Sequence, residues 1–416
     1  MSGAFIRGQP AALAAVRSMI EGHPPHALVL AGPPSVGKTT LAMDLAAGLL
    51  CLAPSAADRP CRACRGCRLV ASGNHPDLHR LAPVGPGDQV RIDAIRGLVT
   101  ELALLPVEGG TRVAVIERAH RMNEDAQNAL LKTLEEPPGG VVIVLCAVDE
   151  DRLLPTIRSR CARLRLGTVG VRQIEAWLTE RGVVDPPAAA RAARLAGGRP
   201  GLALAYAAAP EGVAARAEID RSLLDLLALR PHARLAAVKT MLGRARDLSD
   251  AIARASAPVV EPPDDDAARL VARLASRRAS AAPAGRADDG PVREPALDGG
   301  SRKAAVALVD ATEEAAEPAG RASPIERRRA AAQLVDVWRD LALDLERVRL
   351  GDGGRLHDPG LLEEIQSAAA RVRDGSLATF VARLARIGEA IDGNASPELA
   401  VDVLALAWPR IEIAST

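Results

Sequence analysis

The sequence predicts an α/β protein: a parallel sheet organised around a phosphate-binding loop, followed by an all-helical C-terminal half. Three observations carry this expectation. Short apolar runs alternate with helical stretches to about residue 167, the octapeptide Gly32-Pro33-Pro34-Ser35-Val36-Gly37-Lys38-Thr39 lies between one such run and a helix, and strand signals stop near Val171. Alternation of this kind yields parallel strands covered on both faces, with ligands at the carboxyl ends of the strands.

The elements follow in order. Ala11 to Glu21 reads as a helix closed by Gly22 to Pro25, and Ala27 to Ala31 is apolar throughout, as a buried strand is. Thr40 to Leu50 has helical spacing. Asp77 to Leu81 alternates like a strand, and Ile92, Ile95, Leu98 and Val99 mark one face of a helix. Arg112 to Glu117 is a third strand, Asn123 to Leu134 a helix stopped by Pro137-Pro138, Val141 to Ala147 a fourth strand and Ala162 to Leu166 a fifth. Three short helices are expected at Gln173 to Glu180, Pro187 to Leu195 and Pro200 to Ala208, then helix again from about Glu211 to Ala255. Pro258 to about Ser323 is rich in Pro, Ala, Asp and Gly and reads as a solvated insertion, with a transient helix at Ala267 to Arg277. Order returns at Pro324 with a long amphipathic helix through Val348, and two or three more follow, the last capped by Ser396 with Pro397 at its first position. The expected domains are 1–167, 168–209 and 210–416.

The octapeptide spells G-x-x-x-x-G-K-[ST]. Its glycines let backbone N–H groups turn inward around phosphate oxygens, Lys38 would reach the β and γ phosphates, and the Thr39 hydroxyl would ligate Mg²⁺. Gly32, Pro33, Pro34, Ser35, Val36, Gly37, Lys38, Thr39 and the adjoining Thr40 are the expected ATP or ADP contacts.

Composition constrains the rest. Of 416 residues 48% are hydrophobic but only 1% aromatic, so the cores must be built from Ala, Leu and Val, which suits closely packed helices. A formal charge of +1 dictates no polyanionic partner, and any DNA contact would need a local patch. The N-terminus lacks a signal pattern and no apolar run is long enough to span a bilayer, so a cytoplasmic chain without membrane contact is expected. In a reducing compartment Cys51, Cys61, Cys64 and Cys67 read as a closed four-thiolate zinc site, structural because no coordination position is left open. Cys146 reads as a buried small hydrophobe.

Nucleotide hydrolysis needs a metal carboxylate at the end of the third strand and a second carboxylate to activate water. The strand ends in Glu117-Arg118: Glu117 could serve the metal, but Arg118 stays protonated and takes no proton. Losing such a base removes a factor of order 10² to 10⁴ in rate. The bland alternative is that both residues merely solvate a strand end. Arg158, Arg160, Arg163 and Arg165 form a basic cluster, ordinarily a solvated face; an arginine there could instead complete a neighbour's site, which demands an oligomer.

GPPSVGKTT, the four-cysteine insertion, VRIDAIR at Val90 to Arg96, NALLKTLEEPP at Asn128 to Pro138 and TIRSRC at Thr156 to Cys161 together resemble bacterial clamp-loader subunits of DNA polymerase III, AAA+ proteins. The resemblance covers about the first 210 residues and is looser beyond. It implies an AAA+ RecA-like domain, a small helical lid and a helical collar domain, with Arg160 a finger entering the ATP site of a gamma/tau neighbour and Arg199 the second sensor arginine. Gamma/tau motors carry Asp-Glu where this chain has Glu117-Arg118, and a sensor threonine where it has Ala147. Those departures, and Asp149 to Leu154, resemble the delta-prime type: a stator of a five-membered ring with delta and gamma/tau that places the β sliding clamp on primed DNA. Such a chain belongs to the polymerase assembly without being the polymerase, binding ATP or ADP with weak or absent turnover. The intact phosphate loop keeps open the alternative of a gamma/tau-type motor ATPase. A small-molecule P-loop kinase explains neither the helical half nor Ser159-Arg160-Cys161.

Overall fold

The computed structural model describes residues 6, 8–22, 24–84, 88–108, 110–256, 322–393 and 395–411. Apart from residue 322 these belong to one compact unit, Met1–Ser256 with Ser323–Thr416. The insertion expected at 258–323, with its helix at 267–277, lies outside the described residues save for 322 and 323.

The first part runs α1 (Pro10–Glu21), β1 (Ala27–Ala31), α2 (Lys38–Leu49), α3 (Arg65–Ala71), β2 (Leu78–Leu81), α4 (Ile92–Leu102), β3 (Arg112–Ile116), α5 (Glu124–Glu135), β4 (Val141–Ala147), α6 (Pro155–Arg158) and β5 (Ala162–Arg165). The strands form one parallel sheet in the order β2-β3-β4-β1-β5. Every residue of β1, β3 and β4 is buried, as central parallel strands must be, whereas the edge strands β2 and β5 are partly exposed. Strand parity divides the core. Leu28, Leu30, Val142, Val144 and Cys146 pack toward α1 and α2, while Val29, Ile143, Leu145 and Ala147 pack toward α4 and α5.

The second part comprises α7 (Val171–Glu180), α8 (Pro186–Leu195), α9 (Pro200–Ala208), α10 (Pro210–Leu226), α11 (Pro231–Ser256), α12 (Pro324–Arg349), α13 (Leu362–Ala369), α14 (Ser376–Asp392) and α15 (Pro397–Ala407). Most begin at a proline, whose missing N–H is no loss in a first turn and whose fixed φ suits one. The stretch from Glu211 to Ala255 is helical, as expected, and is divided at 227–230, because Pro231 can start a helix but cannot continue one. Ser323 closes a capping box on α12: its hydroxyl accepts from the Glu326 N–H, and the Glu326 carboxylate accepts from the Ser323 N–H at 2.8 Å.

One apolar core runs from Val169 on the first of these helices' approach to Trp408 after the last, so the lid and collar segments share it. Five of the chain's six aromatics lie there, and three of them pack together. Phe380 and Trp408 lie 4.6 Å apart edge to face, and Trp338 stands 5.6 and 5.7 Å from them. Arg234, fully buried, satisfies its guanidinium on the carbonyls of Leu229, Ala405 and Pro409, closing α11 onto the end of α15.

Candidate functional site

The phosphate loop sits where β1 ends between β4 and β5, outside the carboxyl ends of the strands. Its backbone explains its residues. Gly37 adopts φ +102° as the N-cap of α2, a left-handed conformation that suits glycine, and no side chain occupies the first-turn N–H groups. At Gly32, φ is +148° and a Cβ would stand 2.1 Å from the Leu166 carbonyl oxygen, so only glycine fits. Free N–H donors at the positive end of a helix form an anion cradle.

Lys38 lies inside this loop, donating to Gly32 O at 2.7 Å and Pro33 O at 2.6 Å. Burial pulls its ammonium down to about 8, against a smaller opposing effect of Cys146. Pro34, Ser35 and Thr40 are exposed, Val36 is buried, and Thr39 is half-buried. Beside the loop, a cleft of about 200 Å³ is lined by Ile6, Gly37, Thr40, Trp177, Arg181 and Gly201 among others, with the Arg181 guanidinium 5.0 Å from the Trp177 ring centroid. An apolar wall next to an anion cradle suits a ligand with an aromatic base and phosphates.

Strand β4 turns two neighbouring residues to opposite sides of the sheet. Ala147, the expected sensor position, faces α4 and α5, and its carbonyl accepts the Gly32 N–H at 3.2 Å. Cys146 is the side chain on the loop's side. Burial raises its thiol to about 12, Glu117 pushes the same way, and Lys38 and a hydrogen bond with Thr39 oppose them. Parity along β4 could have found it, since residues 142, 144 and 146 share a face.

Glu117, expected to serve Mg²⁺, accepts from Arg80 Nη2 at 2.6 Å across the β2–β3 pair. Arg118 is fixed in its own way. Its φ is +48°, and its guanidinium makes a two-pronged pair with Asp88, at 2.6 and 2.9 Å. Asp88 is itself buried and nothing in its local sequence marks it as a partner. The position after Glu117 therefore carries a clamped cation, not a base.

Arg160 follows α6 and is about a third exposed. Glu135 at the end of α5 pairs with it at 2.8 Å, and it donates to Thr156 O at 2.9 Å. Buried Gln127 of α5 ties the α6 approach in place, its side-chain oxygen accepting the Leu154 N–H at 2.7 Å and its amide donating to Met122 O and Arg152 O. Cys161 does not join Arg160 at the surface; it packs into the α4/α5 core, where burial lifts its thiol to about 11.

Arg199, the expected second sensor, has protein partners of its own. Only 8% exposed, it donates from Nε to Ala196 O at 2.9 Å and lies 3.5 and 3.7 Å from Asp336 and Asp340 of α12. The two carboxylates, one turn apart on α12, are its acidic partners.

The cysteines gather as expected: the four sulfurs lie within 4.8 Å of one another, Cys51 to Cys64 at 3.9 Å and Cys61 to Cys67 at 4.0 Å. Four sulfurs about 2.3 Å from a tetrahedral ion would be roughly 3.8 Å apart, so the spacing fits one. Backbone N–H groups of Ala53 and Cys61 point at Cys51 Sγ, that of Cys64 at Cys61 Sγ and that of Cys67 at Cys64 Sγ, at 3.3 to 3.4 Å. Such donors favour thiolates: burial works against Cys64, yet N–H groups of Cys67 and Leu52 bring its thiol down to about 6. The helix α3, which the sequence pattern did not mark, begins at this cluster, with Cys64 as its N-cap. Among the described residues no helix is long and apolar enough to cross a membrane.

Part of the chain is similar to known proteins. Residues 8–169 match the family described as "DNA polymerase III, delta subunit". The chain is 42% identical over 177 residues to DNA polymerase III subunit delta' of Pseudomonas aeruginosa, covering 42% of this chain and 53% of that protein. It is 36% identical over 190 residues to subunit delta' of Escherichia coli, covering 46% and 57% respectively. Subunit tau of Escherichia coli is 34% identical over 168 residues, 39% of this chain and 26% of tau. The chain thus spans about half the length of these delta' relatives.

Proposed function

We propose, on the premise that residues 8–169 belong to the delta-prime family of DNA polymerase III subunits, that this chain is a nucleotide-binding, essentially non-hydrolysing member of a clamp-loading assembly. The observation that carries the second half of this reading is the Arg118–Asp88 clamp. With its guanidinium held by two hydrogen bonds, Arg118 neither takes a proton nor leaves room for a carboxylate to orient water. Glu117 is likewise engaged, by Arg80.

On this reading the loop from Gly32 to Thr40 holds ATP or ADP, with Lys38 on the phosphates, Thr39 and Glu117 toward Mg²⁺ and the base against Trp177. Arg160 acts on a neighbour: partly exposed, and held by a carboxylate it can exchange for phosphate, it supplies transition-state charge to the ATP site of a gamma/tau subunit. Arg199 would serve as the second sensor once drawn from Asp336 and Asp340. Zinc is the ion that four thiolates select, and it would hold the fold of the segment from Cys51 to Cys67 without joining in chemistry. The working partners are gamma/tau and delta in a five-membered cytoplasmic ring that sets the β sliding clamp on primed DNA.

The test is ATP turnover by the purified chain beside equilibrium binding of a fluorescent ATP analogue. Binding that Lys38→Ala removes, with negligible turnover, is the expected result. Turnover that Lys38→Ala abolishes would make the chain a motor of the gamma/tau type, a reading that the unbroken phosphate loop favours.

A further inference from the structure

The first turn of α9 touches the candidate nucleotide site and the long helix α12 at once. On one side the Gly201 N–H donates to the Ser35 carbonyl of the phosphate loop at 2.9 Å, and a Cβ on Gly201 would stand 3.0 Å from that oxygen. On the other side Arg199, two residues earlier, points to Asp336 and Asp340.

The two carboxylates are not equivalent. Asp340 is buried and also accepts from Arg216 at 3.0 Å; burial opposes its charge, and Arg216, His357, Arg199 and Arg339 hold its carboxyl below the usual range. It is needed in that network wherever Arg199 points. Asp336 is partly exposed, lies 3.5 Å from Arg199, and has Arg339 at 2.8 Å as a second partner. Both Arg199 contacts to carboxylate are long for charge-assisted hydrogen bonds. The guanidinium is therefore retained loosely, beside a cleft bounded by the next residues of its own chain, Pro200 and Gly201.

We propose that Asp336 is a positioning residue for Arg199: with Asp340 it keeps the guanidinium on the α12 side of α9, a γ-phosphate must compete for it, and Asp336 thereby sets the preference of the site for nucleoside triphosphate over diphosphate. This rests on the proposed reading of the phosphate loop as a nucleotide site and of Arg199 as its second sensor. A diphosphate has no γ-phosphate to recruit Arg199 and does not disturb the pair. A triphosphate that recruits it must displace the carboxylate, and its apparent affinity falls by the stability of the collar-side state.

The experiment uses the full chain with fluorescent analogues of ATP and ADP, titrated separately. Because Asp336 is partly exposed and its contact to Arg199 is long, losing the pair converts to about a two- to fivefold change. Asp336→Asn should tighten the ATP analogue by about that factor and leave the ADP analogue unmoved. Asp336→Glu should restore the original ratio, and adding Arg199→Ala to Asp336→Asn should abolish the gain. Equal shifts for both analogues, an unmoved ratio, or a gain that survives Arg199→Ala would overturn the inference while leaving Lys38-dependent binding in place. Failure of the parent chain to bind either analogue, or binding indifferent to Lys38→Ala, would instead bring down the nucleotide reading and this inference with it.

Discussion

Arg216 is the side chain on which the helical half should depend most. It is 1% exposed, and its guanidinium reaches four helices: Tyr206 Oη of α9 at 3.2 Å, Leu195 O of α8 at 3.4 Å, Asp340 of α12 at 3.0 Å and Asp220 of its own helix at 3.6 Å. Arg216→Met keeps most of the apolar stem and removes the charge. It strands Asp220 and weakens Asp340, and breaking a buried pair in this way costs about 3 to 5 kcal/mol. For a core of this size that is roughly a 6 to 20 °C fall in melting temperature. The cost should depend on pH. Burial, partly offset by Arg216, already lifts the Asp220 carboxyl to about 7, so below that value the stranded acid takes up a proton and ceases to be a buried charge. Thermal melts followed by helical circular dichroism at pH 8 and pH 5.5 should show the larger fall at pH 8. A fall under about 2 °C at pH 8, or one independent of pH, would refute the view that this cation organises the lid–collar junction.

Four further outcomes follow from the same geometry. Asp220 has a folded value of about 7, above its ordinary 3.8, so its contribution to stability is full below about 3.8 and lost as pH rises through 7; Asp220→Asn, which mimics the protonated acid, should flatten the stability profile across that window and stabilise the chain above it. Lys38 loses its proton near pH 8 in the free loop and phosphate would restore it; nucleotide binding at pH 8 should take up protons, seen by calorimetry in buffers of differing ionisation enthalpy, and affinity should fall above pH 8 unless Lys38→Arg is present. Chelation or Cys61→Ser should release about one zinc per chain and expose the cluster's thiols to a thiol reagent, with Cys146 and Cys161 staying protected in the sheet core. Arg160→Ala should remove the finger's contribution, of order 10³ or more, at one neighbouring site of a reconstituted ring, without weakening this chain's own nucleotide affinity; unchanged ring turnover would exclude the finger role.

The parts of the site that the sequence made legible are those in which covalent neighbours do the work. Gly32 to Thr39 form a cradle because a short run of backbone turns on itself, and Cys61, Cys64 and Cys67 meet because a few residues of chain can curl around a point. The strands declared themselves by unbroken apolar runs such as Val141 to Ala147. The helical break before Pro231 was legible in principle, but an apolar pattern on both sides hid it. Cys146 was legible as a small buried residue of an apolar strand, and the two-residue period of that strand puts it on the loop's side of the sheet.

Residues 8–169, read alone, determined the sheet, the phosphate loop and the thiol cluster, because each is specified by local spacing and by the periods of strand and helix. Tertiary structure decided how the charged side chains are engaged. Arg118 finds Asp88 across 30 residues, Arg199 finds Asp336 across 137, and Arg216 finds Asp340 across 124. Such pairings leave no periodic trace, since a buried charge takes whichever opposite charge the packing of distant helices brings within reach.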